Sequence, residues 1–199
     1  MKFRLYPINF LNFGAMKTIF LIGYMASGKT TFGRALSSER GIPFIDLDDY
    51  IEEKYGLKIP QIFASYGEKR FREMERDALK EIAAGEITES SQGCIIACGG
   101  GTPCFFDNID LLNSLGTTVF LNASKDKLLH RLLEFNNTRP IVAGKNRDEI
   151  SRIIESQMEK RLPFYSRAKI MWNSDSLESE EQIKANVSKF IASYPVLFQ

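Results

Sequence analysis

One stretch limits the folds open to this chain more than any other. An apolar run, Thr18 to Ile22, passes into Gly23-Tyr-Met-Ala-Ser-Gly28-Lys29-Thr30-Thr31. This is the G-x-x-x-x-G-K-[ST] spacing of a loop that cradles phosphate. Gly23 and Gly28 let the backbone bend so that consecutive N–H groups face one point. The segment after Thr30 reads as a helix ending at Gly41, and its dipole adds positive potential at that point. Ala26, Ser27, Gly28, Lys29, Thr30 and Thr31 are therefore the expected phosphate contacts. Lys29 brings a mobile charge to the outer phosphates, and the Thr30 hydroxyl suits Mg²⁺. Such a loop needs a buried strand before it, and Ile19 to Ile22 supplies one.

The bulk numbers narrow the class. A length of 199 residues fits one α/β domain with insertions. A formal net charge of +1 gives no polyanion-binding surface, so no nucleic-acid partner is expected. No apolar run reaches the ~20 residues of a membrane span, so no membrane partner is expected either. Cys94, Cys98 and Cys104 do not have zinc-site spacing, and His130 is the single histidine. They read as buried thiols in a reducing cytoplasm. A lone histidine also argues against a histidine-based triad, and His130 reads as a surface residue. Residues 1–15 hold a short apolar stretch interrupted by Pro7, Asn9 and Asn12, with no spacer before the strand. They read as a flexible extension or an upstream start, and 16–199 as the domain itself.

Four further strands are expected. Ile42 to Leu47 runs into Asp46-Leu47-Asp48-Asp49, placing carboxylates at the C-terminal end of a strand, where α/β sheets bind ligands. Asp46 and Asp48 share a face if the chain stays extended there; alternatively, Asp48 or Asp49 caps a helix over Tyr50 to Tyr55. Leu57 to Gly67 is followed by a helix from Glu68 to about Ala84. Its apolar stripe is Phe71, Met74, Ala78, Leu79 and Ile82, and Arg72, Glu75 and Arg76 lie off that stripe. Glu68 and Arg72 form an i,i+4 pair. After a polar loop, Gly85 to Gln92, the third strand Cys94 to Cys98 opens into Gly99-Gly100-Gly101. Three glycines in a row make sense where a ligand meets bare backbone, or else form a flexible turn.

Helix Asp107 to Leu115, strand Thr117 to Leu121 and a helix capped by Ser124 come next. Asn136 to Asp148 is breakable and charged, and reads as part of a lid over about 124–147. Arg131 and Arg139 could reach phosphates from it. A helix from Arg147 to Arg161 stopped by Leu162-Pro163, a strand Ala168 to Trp172, and a helix opened by a Ser179–Gln182 capping box complete the chain. The expected fold is α/β: three layers, with helices on both faces of a five-stranded parallel sheet.

The ordered set of segments resembles the shikimate kinase family from Lys17 to about Ile191. The matching residues are Gly23 to Arg34, Asp46 to Glu52, Ile62-Phe63 and Gly67 to Glu75. Gly99 to Gly101, Arg139-Pro140 and Lys160 to Tyr165 complete the set. The resemblance implies a fold of P-loop NTPase type with strand order 2-3-1-4-5, and a kinase that moves the γ-phosphoryl group of ATP to the 3-hydroxyl of shikimate, with Mg²⁺. It implies a cytoplasmic monomer with ATP and shikimate as partners, and substrate-binding helices over about 48–84. By position, Lys29, Asp48 and Arg139 resemble the catalytic residues, Asp48 lying close to the substrate hydroxyls. Asp46 resembles the carboxylate that holds Mg²⁺ through water, beside Thr30. Arg72 and Arg161 look like the pair that grips the substrate carboxylate. Gly99, Gly100 and Gly101 look like the loop between the substrates. Arg139 resembles the lid arginine on the ATP phosphates, and Arg131 the residue stacked near adenine.

Three features depart from the family. Ala26 stands where many members have glycine, no arginine occurs in Asn173 to Glu178, and the lid segment is about one residue longer. Two other readings remain open from the residues alone. One is the same chemistry on gluconate or a nucleoside monophosphate; the other is a nucleotide-dependent binding module without turnover.

Overall fold

The computed structural model describes residues 18–85, 93–134 and 142–198. The expected N-terminal extension, Arg139 and Pro140, and most of the Gly85 to Gln92 loop lie outside the described residues. The elements, in order, are β1 (Ile19–Ile22), α1 (Lys29–Arg40), β2 (Phe44–Asp46), α2 (Leu47–Tyr55), α3 (Ile59–Ala83), β3 (Ile95–Ala97), α4 (Asn108–Leu115), β4 (Thr117–Asn122), α5 (Lys125–Glu134), α6 (Arg147–Tyr165), β5 (Ile170–Asn173) and α7 (Glu180–Ser193). Short 3-10 turns lie at Thr102–Cys104 and Pro195–Phe198. All strand pairs are parallel and the order is β2-β3-β1-β4-β5, as expected.

The central strand explains the layering. Every residue of β1 is buried, and alternate side chains point to opposite faces. Phe20 and Ile22 join a core with Leu47, Phe71, Leu79, Leu128 and Ile154 from α2, α3, α5 and α6. Ile19 and Leu21 join a second core with Phe32, Leu36, Val187 and Phe190 from α1 and α7. A sheet buried on both sides reads as continuous apolar strands, which is why β1 was legible. Among the described residues no helix is long and apolar enough to cross a membrane.

Several boundaries differ from expectation. Helix α2 starts at Leu47 rather than Tyr50, because Asp46 is its cap: the Asp46 carboxylate accepts from the Asp48 N–H at 3.2 Å. Neither Asp48 nor Asp49 caps it, and Asp48 belongs to the first helical turn. Helix α6 runs through Pro163 to Tyr165. A proline near a helix C-terminus removes one ladder bond. Here the last turn is also held from outside: Tyr165 is buried, stacks on Phe120 with centroids 5.1 Å apart, and donates to the Gly100 carbonyl. Before α7, Ser179 accepts from Gln182 N–H, but the Gln182 side chain accepts from Glu178 N–H, so only half of the expected box forms. The expected break at Gly67 is present, with φ 77° and ψ 172° interrupting α3. That conformation is open to glycine and strained for other residues.

Candidate active site

A cavity of about 730 Å³ opens at the C-terminal ends of β1, β2 and β3. That is the size of a small-molecule site. Its lower wall is the loop between β1 and α1. Gly28 adopts φ 93°, and a Cβ there would meet Leu177 Cδ1 at 2.5 Å. Helix α1 has neither a capping side chain nor an acidic residue in its first turn. Its leading N–H groups are thus left for an anion. Lys29 Nζ donates to the carbonyls of Gly23 and Tyr24, each at 2.9 Å. Ala26, Gly28, Lys29, Thr30 and Thr31 line the cavity, whereas Ser27 is buried behind it.

The second wall comes from β2 and α2. The Thr30 hydroxyl donates to Asp46 Oδ2 at 2.8 Å, so one carboxylate both caps α2 and meets the phosphate loop. Asp48 faces the same cavity, and its Oδ1 is buried without a protein hydrogen-bond partner. Burial, and then the neighbouring Glu75 and Asp46 charges, push its carboxyl up to about 6, while Lys29 and Arg72 pull the other way. A buried oxygen with a spare lone pair and a pKa near neutrality is the profile of a group that takes a proton from a ligand.

The third wall is Gly99 and Gly100, with Gly101 buried after them, and at Gly99 and Gly101 an added Cβ would crowd neighbouring side chains. A Cβ on Gly99 would lie 2.9 Å from both Asp48 Oδ1 and Glu75 Oε1. One on Gly100 would lie 3.3 Å from Arg161 Nη1 and 3.5 Å from Gly23 O. One on Gly101 would lie 2.5 Å from Arg72 Nη1. Gly101 has φ −91°, so its backbone would accept any residue and only Arg72 forbids one. The sequence reading of a loop that must present bare backbone therefore has a local cause in the protein itself.

Arg72 and Arg161 sit behind this loop. Arg72 donates to Glu75 Oε2 at 2.8 Å and to Glu68 Oε1 at 2.9 Å, with Phe105 4.2 Å from its Cζ. The Glu68 partner is the expected i,i+4 pair. Glu75 is the residue that sequence reasoning missed. Expected off the apolar stripe, it is completely buried, also accepts from the Thr102 hydroxyl, and has its pKa raised chiefly by burial. Its signal was the i,i+3 spacing to Arg72. Tyr165, which holds Gly100, was also quoted without a role.

Arg131 is buried, and its guanidinium donates to the carbonyls of Ala26 at 3.2 Å and of Ser174 and Asp175 at 2.9 Å each. It thus ties the phosphate loop to the segment after β5 while lining one end of the cavity. His130 is exposed on α5 beside it, 3.7 Å from Glu134. None of the three cysteines forms a disulfide among the described residues. Cys98 reaches the cavity wall, but burial raises its pKa well above the usual thiol range, and Cys104 is pushed up to about 11. Neither thiol is a nucleophile at neutral pH.

The sequence and the fold both match known proteins. The family model described as shikimate kinase matches residues 25–192. A shikimate kinase of Bacteroides thetaiotaomicron is 44% identical over 174 residues, covering 87% of this chain and 96% of that protein. The crystal structure of shikimate kinase from the same organism superposes with TM-score 0.84 at 43% identity, covering 91% of this chain and 99% of that one. A structure of shikimate kinase from Acinetobacter baumannii in complex with shikimate gives TM-score 0.75 at 28% identity, covering 92% and 96%. With a glycine wall between a phosphate loop and two arginines, and with these relatives, the chain belongs to the shikimate kinase family.

Proposed function

We propose that the cavity transfers the γ-phosphoryl group of ATP to the 3-hydroxyl of shikimate, giving shikimate 3-phosphate and ADP. The reaction belongs to the biosynthesis of chorismate and the aromatic amino acids. The observation that carries this reading is the glycine wall, whose three positions touch Asp48, the phosphate loop with Arg161, and Arg72 in turn. One backbone segment thus lies between the two guanidinium groups and a cavity that holds both the phosphate cradle and Asp48. Shikimate offers both a hydroxyl and a carboxylate to such a wall.

The nucleotide triphosphate lies on the loop from Ala26 to Thr31. Lys29 exchanges its two carbonyl contacts for phosphate oxygens. The Thr30–Asp46 pair supplies hard oxygens at the edge of the cradle, which fits Mg²⁺, an ion that keeps most of its waters and takes few protein ligands. Bound there with the phosphates, Mg²⁺ supplies charge neutralisation for the transferred group. Arg72 and Arg161 hold the acceptor carboxylate, because a planar guanidinium bonds two oxygens at once. Glu68, more than half exposed, is the partner that an incoming carboxylate displaces from Arg72. Asp48 accepts a hydrogen bond from the attacking hydroxyl and takes its proton late, as the bond to phosphorus forms.

By the family resemblance the lid over about 124–147 and Arg139 are assigned to the ATP phosphates, and Arg131 supports the adenine end. Helices α2 and α3 form the acceptor side. The chain acts as a monomer in the cytoplasm, with no nucleic acid or membrane partner. Mixing the protein with Mg-ATP and shikimate, gluconate or a nucleoside monophosphate, and measuring ADP release, tests the reading. ADP released with shikimate alone supports it, and no stimulation by shikimate sinks it.

A further inference from the structure

Tyr24 belongs to the phosphate loop by position and to α6 by contact. It is 1% exposed. Its hydroxyl donates to Gln157 Oε1 at 2.9 Å, and its ring lies under Arg161, with Cζ 5.5 Å from the centroid. That distance is within cation–π range. Gln157, Arg161 and Tyr165 are spaced i, i+4, i+8, and so share one face of α6. Tyr165 uses the same face to donate to the Gly100 carbonyl at 2.6 Å. Gly100, the phosphate loop and α6 therefore meet at one spot, where a Cβ on Gly100 would be 3.5 Å from both Gly23 O and Met25 N.

The Tyr24 peptide has a second restraint. Lys29 Nζ donates to the carbonyls on both sides of the Gly23–Tyr24 junction. A triphosphate recruits that ammonium group, so its arrival changes what holds the Tyr24 backbone. The Tyr24 side chain in turn sets the floor on which Arg161 rests.

We infer that Tyr24 is a positioning residue that couples the two substrates: occupancy of the phosphate loop sets Arg161, so nucleotide binding tightens the grip on the acceptor carboxylate. The inference rests on the proposed reading of Lys29 as the phosphate ligand and Arg161 as the carboxylate ligand. By linkage the coupling runs equally in the other direction. The Gln157 bond is what keeps the ring in place on α6.

Calorimetry with shikimate tests it, without nucleotide and with a saturating non-hydrolysable ATP analogue and Mg²⁺. The proteins are wild type, Tyr24→Phe, Gln157→Ala and the double variant. Wild type binds shikimate more tightly when the nucleotide is present. Each single variant loses about three- to tenfold of that enhancement, the range one hydrogen bond supports. The double variant loses no more than either single one, because all three lack the same bond. Affinity of Gln157→Ala for the analogue alone stays within about twofold, which a general loss of structure would not allow. Gln157 is only partly buried on the helix surface, so its variant carries the test if Tyr24→Phe fails to fold. A folded variant that keeps the wild-type enhancement overturns the inference, as does a wild type whose shikimate affinity ignores the nucleotide. A wild type that binds no shikimate in either state overturns the acceptor reading itself, and the inference falls with it.

Discussion

Glu75 grips Arg72 through a 2.8 Å ion pair while remaining completely out of water. Its other oxygen takes the Thr102 hydroxyl, so the carboxylate fixes one guanidinium edge and leaves the Glu68 edge for exchange. Removing one partner of a buried pair strands the other charge. Glu75→Ala is expected to lower stability by about 3 kcal/mol. In that variant KM for shikimate rises about tenfold or more, since the guanidinium loses its fixed orientation. Chemical denaturation and initial rates check both. Glu75→Gln keeps a hydrogen-bond acceptor and is expected to fall between Glu75→Ala and wild type.

Asp48→Asn keeps size and burial but cannot accept a proton. Turnover is expected to drop by about 10²- to 10⁴-fold, the span of a general base. Binding of the ATP analogue is expected to stay nearly intact, because the proposed partner of Asp48 is the acceptor hydroxyl and not a phosphate. With Asp48 titrating at about 6, wild-type kcat/KM falls roughly tenfold per pH unit below that value. The variant loses this acid limb. An unaltered pH profile in Asp48→Asn would assign the limb to another group.

The same shift has a consequence for folding. The Asp48 pKa is raised from 3.8 to about 6 in the folded chain. Between those values the native state holds a proton that the unfolded chain has released, so this group's contribution weakens as pH rises through the window. Above about pH 6 the buried carboxylate is a full penalty of roughly 3 kcal/mol. Asp48→Asn is therefore expected to be more stable than wild type at pH 8, with the gap closing towards pH 4. Urea titrations at the two pH values measure it.

Gly101→Ala asks for no strained backbone, yet its methyl group would meet Arg72. Arg72 must turn away or lose Glu75. KM for shikimate is expected to rise by about ten- to a hundredfold, with KM for ATP near wild type, because a misplaced ligand costs orientation at one substrate only. A uniform loss in both constants would mean that the whole loop had moved.

The strands and the loop they serve were legible because their signals are local: a continuous apolar strand, a fixed glycine spacing, and a stop at Gly41; the strand order came only with the family resemblance. Boundaries set by tertiary hydrogen bonds were not legible. The start of α2 depends on Asp46, which also reaches Thr30, sixteen positions earlier. The end of α6 depends on Tyr165 finding Gly100, sixty-five positions away. The burial of Glu75 was missed for a related reason: an apolar stripe predicts which residues enter the core, and a charged residue joins it only when its partner comes too. Ala26, noted as a departure, has φ 62° and one carbonyl contact from Arg131. That conformation explains why glycine suits the position, though no spacing rule could have shown that alanine would be held there.

Strands β1 and β3 lie side by side with Leu21 opposite Ala97, and the Cys98 N–H closes on the Leu21 carbonyl at 3.0 Å. The cradle for the donor and the wall for the acceptor leave the sheet from these neighbouring ends. Their separation is thus inherited from the interstrand distance, about 4.8 Å, which no side chain can stretch. Evolution or engineering can recast what each wall recognises, but the gap a phosphoryl group must cross is set by main-chain hydrogen bonds.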